Sequence, residues 1–131
     1  MVFEYNMLAL MTLIFLFAFV PSSLAKLKTF GGKWLASNRN PVEGKQLSGW
    51  GARVERAHNN LKDNFPGFVV AILVLGQLNK FDNQTYWLSL GYVLARILHF
   101  IFYGAGFVPG RFLAYTSGLI FNVWLLIKII L

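Results

Sequence analysis

Four apolar stretches, at about 7–25, 65–78, 86–106 and 112–131, dominate this 131-residue chain. A bilayer leaves no room for unsatisfied backbone polar groups, so stretches of this kind become helices rather than open sheet. Crossing a hydrocarbon core of ~30 Å takes about 20 residues. Three of the stretches approach or reach that length. The second, Phe65–Leu78, has only fourteen residues, but a charged segment, Arg53-Val-Glu-Arg-Ala-His-Asn-Asn-Leu-Lys-Asp63, runs into it almost without a break. The helix must borrow that polar front end, and from Gly51 it would be about 42 Å long at 1.5 Å per residue. Pro66 removes one backbone donor and is expected to kink it. The expected fold is therefore all-α: an integral-membrane four-helix bundle in a single domain over 1–131, with helices at about 7–25, 51–79, 86–106 and 112–131.

Composition agrees with a lipid-embedded chain. Hydrophobic residues make up 56%, charged residues 13%, and mean hydropathy is +0.56, whereas a soluble domain carries about 25% charged residues. There is no cysteine. A disulfide framework, a thiolate metal site and a catalytic thiol of the chain's own are all excluded, and any thiol chemistry must use a thiol brought by a substrate. The net charge of +7 is read as membrane topology rather than nucleic-acid binding, because eight of the twelve basic residues lie between Lys26 and Lys62. That basic load puts the long first loop, about 26–51, in the cytoplasm. The Gly/Pro-rich third connection, Gly104–Gly110, then faces the same side, and both termini face the other. The first stretch ends in Ser-Ser-Leu-Ala, like a signal-peptide cleavage site, but it lacks a positive leader region, so a retained anchor is expected. Asn83-Gln-Thr85 is a formal glycosylation sequon, read here as a polar turn.

Polar residues recur on helix faces. At 100° per residue, Arg53, Arg56, Asn60 and Asp63 fall within about 80° of one another. Arg96, His99 and Tyr103 fall within about 60°, and Arg111 is followed one turn later by Tyr115. All three patches share the cytoplasmic ends of their helices. Ionisable groups at membrane depth usually face a bundle interior and serve a function. Structural readings stand beside that one. Arg53 and Arg56 also suit snorkelling anchors, and Asn60 and Asp63 could pair with them to make burial tolerable. Arg96 suits an interhelical ion pair with Asp63. Tyr103 and Tyr115 suit the aromatic belt, with Trp87 and Trp124. His58 points away from the stripe. No metal site is expected, since His58 and His99 sit on different helices without carboxylates at ligand spacing, and Gly31-Gly32 lacks the rest of a phosphate loop.

The run Arg53-x-x-Arg56-Ala57-His58-x-Asn60-x-x-Asp63-Asn64 resembles the signature of the MAPEG family, the membrane-associated proteins of eicosanoid and glutathione metabolism. Ala95-Arg96-x-x-His99-x-x-x-Tyr103 and Arg111-x-x-x-Tyr115 resemble that family's third and fourth helices. The resemblance implies a homotrimer with glutathione as cosubstrate, bound at the cytoplasmic end between adjacent subunits. It assigns Arg53, Arg56, Asn60, Asp63, Arg96, His99, Tyr103 and Tyr115 to glutathione binding, and Arg111 to stabilising the thiolate. Lys26 or Lys28 is a further site-lining candidate. The implied function is a glutathione-dependent transferase or peroxidase acting on a lipophilic electrophile that enters from membrane lipid, in a bacterial inner membrane with a cytoplasmic site.

Departures from the family pattern also matter. Asp63 replaces the usual Glu, Asn59 replaces a basic residue of the prostaglandin branch, and eight residues separate Tyr103 from Arg111 in a region of variable spacing. These favour a general transferase or a microbial member over a dedicated eicosanoid enzyme. Two alternatives stay open: a catalytically silent membrane interaction protein, and a small four-helix transporter. The second is disfavoured because the first, third and fourth spans show no embedded carboxylate, with Glu4 placed outside the first.

Overall fold

The computed structural model describes residues 2–131. Among these residues all regular structure is helical: α1 (Phe3–Phe17), α2 (Val20–Phe30), α3 (Gly32–Leu35), α4 (Gly49–Gln77), α5 (Asn83–Ala105) and α6 (Val108–Ile130). The helices α1 and α2 run on as one 28-residue apolar span, Phe3–Phe30. The interruption at Ala18–Phe19 precedes Pro21, in the first turn of α2, whose missing N–H leaves the carbonyl of Phe17 without its helical donor. Three elements are long and apolar enough to cross a membrane: Phe3–Phe30, α5 and α6. The remaining long helix, α4, is continuous through Pro66 over 29 residues, and its first half is too polar for a continuous apolar span.

The most extensive pairing is α5 with α6, and α4 packs on both, while α1 lies against α4 and α5. Their common core holds Met11, Phe65, Phe68, Ile72, Tyr92 and Leu125, with the Phe68 and Tyr92 rings stacked at 4.2 Å. In a bilayer, small residues let helices approach closely. Gly118 of α6 is such a contact, since a Cβ there would meet Ala95 Cβ at 3.4 Å and Arg96 Cδ at 3.5 Å.

Both ends of α5 are fixed by local capping. At its start, the Thr85 N–H donates to Asp82 Oδ1 at 2.9 Å and the Asp82 N–H donates to Thr85 Oγ1 at 2.8 Å, a reciprocal capping box. The formal sequon is thus a helix start, with Thr85 fully buried. At its end, Gly106 takes φ +77°, a left-handed cap that glycine adopts without a Cβ penalty. Only Gly106 and Phe107 separate α5 from α6. The last helix starts at Val108, earlier than the expected 112, because Pro109 sits in its first turn, where no helical donor is needed.

The placement of Glu4 differs from the sequence expectation. It lies inside α1, is 4% exposed, and accepts a hydrogen bond from Thr85 Oγ1 at 2.5 Å. A carboxylate in a helix's first turn also meets the positive end of the helix dipole. The first span therefore carries a carboxylate in its first turn, buried in protein and tied to the start of α5.

Candidate functional site

The inner face of α5 and the first turns of α6 converge opposite α4. His99 and Tyr103 from α5, Arg111, Phe112 and Tyr115 from α6, and Asn60 from α4 line a cavity of ≈ 520 Å³. Small-molecule sites typically occupy about 300–1,000 Å³. Tyr103 is its centre. The Arg111 guanidinium carbon lies 4.6 Å from the Tyr103 ring centroid, and that of Arg56 lies 5.9 Å away. Both distances are within reach of cation–π attraction. His99 meets the Tyr103 ring edge-on at 5.4 Å and lies 6.0 Å from Tyr115. Two guanidiniums and a buried imidazole thus gather round one tyrosine ring.

Arg96 is 3% exposed, and its Nη2 donates to Asn60 Oδ1 at 2.7 Å. Asn64 Nδ2 donates to the Asn60 backbone carbonyl at 2.9 Å. With its amide oxygen occupied by Arg96, Asn60, a lining residue of the cavity, keeps its Nδ2 donors unbonded. The expected ion pair between Arg96 and Asp63 does not form. Asp63 is exposed on the outer face of α4, and the ion pairs among the described residues are Lys26–Glu55 at 3.0 Å and Lys128–Asp82 at 2.7 Å. A neutral amide, rather than an acid, carries the buried guanidinium.

The stripe on α4 therefore splits. Asn60 reaches the cavity and Arg56 reaches its rim. Arg53 turns to the end of α5, where its Nε donates to the Gly104 carbonyl at 3.0 Å and satisfies one of the helix's unpaired acceptors. Of the two lysine candidates, Lys26 is held by Glu55, and Lys28 lines a separate groove. Glu55 was not singled out in the sequence. It is clasped by Ser22 Oγ as well as Lys26 and joins α2 to α4; its position inside the Arg53-Val-Glu-Arg56 run was the available signal.

The fold and site define a helical integral membrane protein with a cavity of mixed lining, Arg111 among its residues, at one end of its helices. The MAPEG family model matches residues 4–131, so the chain belongs to the MAPEG family, a group of membrane proteins of eicosanoid and glutathione metabolism. No curated protein and no solved structure gives a match.

Proposed function

We propose that the cavity binds glutathione and presents its thiolate to lipophilic electrophiles arriving from the bilayer. The observation that carries this reading is the pairing of Arg111 with Tyr103 at the mouth of a cavity that also offers the Asn60 amide and the Tyr115 hydroxyl. Glutathione brings two carboxylates, an ammonium and a thiol. Guanidiniums bind carboxylates with charge-assisted, often bidentate hydrogen bonds, a role assigned to Arg56, with Arg53 and Arg96 as supporting cations. Asp63 is the group assigned to the ammonium. Arg111, always protonated, stabilises the thiolate rather than acting as a base. In conjugation the thiolate sulfur forms a bond to the electrophilic carbon, the leaving group departs with its electron pair, and the thiol proton goes to water. In the peroxidase variant a hydroperoxide is reduced to an alcohol and water, the two thiol protons going to the oxygens, and two glutathiones are oxidised to their disulfide.

Assembly completes the site in this reading. Arg56, Asn59, Asp63, Pro66, Val70, Leu73 and Gln77 are all exposed on α4, and their alternating spacing of three and four is a single seam along the helix. Charged groups on such a seam are costly against lipid. A neighbouring copy covers it, and the family resemblance supports a four-helix protomer in a homotrimer. The basic first loop supports a cytoplasmic site, as in a bacterial inner membrane, with both termini on the far side. A silent binding protein is the second reading, favoured by Asp63, which does not face the cavity within one chain.

Glutathione binding to detergent-purified protein tests the assignment. Arg56→Ala should weaken it about thirtyfold, the ~2 kcal/mol lower end of the range for a truncated charge partner, because Arg56 is exposed within one chain. Equal binding by the variant would remove Arg56 from the site. A reporter after Leu131 that reads cytoplasmic would overturn the orientation.

A further inference from the structure

A second concavity lies on the same side of the molecule as the cavity. Its walls are the last turns of α2 and the start of α4, and its volume is ≈ 610 Å³. Lys28, Thr29 and Ser48 supply its polar lining, and Leu24, Leu47 and Trp50 its apolar lining. It exists because α2 and α4 come very close: a Cβ at Gly51 would stand 2.9 Å from Ala25 Cβ. Trp50 approaches Gly104 at the end of α5, since a Cβ there would lie 3.7 Å from the indole Nε1.

Depth and charge identify the occupant. The span Phe3–Phe30 has 28 residues, about 42 Å of helix at 1.5 Å per residue, against ~30 Å of hydrocarbon and ~40–45 Å including the headgroups. Lys28, in the last turn of α2, therefore sits at headgroup level. From Lys28 to Ser48 the chain carries four cations, Lys28, Lys33, Arg39 and Lys45, against one acid, Glu43. None of the four is in an ion pair among the described residues, whereas Lys26, two residues earlier, is neutralised by Glu55. Leu24 and Trp50 are 56% and 49% exposed. A groove with one free ammonium, two hydroxyl-bearing residues and an exposed apolar flank matches a phosphate headgroup joined to its acyl chains.

We propose that this groove binds an anionic phospholipid, with Lys28 facing the phosphate, Thr29 and Ser48 the glycerol region, and Leu24, Leu47 and Trp50 the root of the acyl chains. Within one chain the groove shares no lining residue with the cavity. The full chain, purified in mild detergent and re-lipidated with mixed phosphatidylcholine and phosphatidylglycerol, is tested by native mass spectrometry of the lipid it retains. Phosphatidylglycerol should be retained in preference. Lys28→Gln should reduce that preference about fivefold, the effect expected for one basic residue at an anionic surface, and Lys28→Arg should keep it. Arg39→Gln removes the same charge from the loop outside the groove and should leave it near the parent level. Equal loss in Lys28→Gln and Arg39→Gln would replace the groove with diffuse surface attraction. Absence of any preference in the parent, as when a second copy fills the groove, would overturn the proposal, as would displacement of the lipid by inorganic phosphate.

Discussion

Replacing Arg111 with Ala isolates the chemical role assigned to it. The guanidinium carbon stands 4.6 Å from the centre of the Tyr103 ring, so a thiol resting at that ring would be about 4 Å from the charge. At that distance and an effective dielectric of ~20, the attraction to a thiolate is about 4 kcal/mol. The cavity is open to water, which screens part of this and leaves roughly 2.7 kcal/mol, or about two pKa units. A thiol of ordinary pKa ~8.5 would then titrate near ~6.5 when bound. At pH 7 about three quarters of it would be thiolate, falling to about 3% in the variant, a loss of roughly 25-fold. The assay is the pH dependence of turnover with chlorodinitrobenzene, together with thiolate absorbance of the complex. In Arg111→Ala the acidic limb should move up by about two pH units while most glutathione affinity remains. Arg111→Lys should recover part of the effect. Loss of the contact with Tyr103 costs only about 1 kcal/mol, so the variant should fold. An unmoved limb with unchanged turnover would refute the reasoning and pass the role to Tyr103 or Tyr115.

Asn60→Leu removes the acceptor of the buried Arg96 guanidinium, which should cost roughly 1–3 kcal/mol and lower the Tm in detergent; Asn60→Asp should restore stability by supplying a carboxylate. The Asp82 carboxyl is held below the usual carboxylate range, chiefly by the hydrogen bond from Lys128 and then by the Thr85 N–H. Its contribution is present above the unfolded value and lost as pH falls through the folded one, so the Tm should drop below about pH 4, and Asp82→Asn should flatten that drop. Because the chain has no cysteine, Leu73→Cys on the exposed seam of α4 gives a clean cross-linking probe. Oxidation should produce covalent dimers, while Ile120→Cys, 59% exposed on α6, should stay monomeric on denaturing gels; the reverse pattern would contradict the assigned interface.

Much of the architecture was written in hydropathy, because a bilayer converts apolar length into helix. The polar residues were legible as helix faces but not as partners. Angular spacing put Arg53, Arg56, Asn60 and Asp63 on one stripe, yet a stripe of about 80° is wide enough to meet several neighbours. Arg53 found the carbonyl end of α5, Asn60 found Arg96, and Asp63 faced outward. None of these choices follows from α4 alone, since each depends on how α5 is set against it. Glu4 was misplaced for a similar reason: its partner, Thr85, is 81 residues away. The helix starts at Asn83 and Val108 depended on local cap chemistry, which the apolar lengths did not carry.

Binding with thiolate formation in the parent protein tests the central claim most directly. Purified protein in detergent is titrated with glutathione at neutral pH while thiolate absorbance is followed, with an S-alkyl glutathione as competitor. The account predicts saturable binding, growth of the thiolate band with occupancy, and loss of that band on competition. Saturable binding without a thiolate band or turnover would make the protein a silent member of its family, and no binding at millimolar glutathione would contradict the account outright.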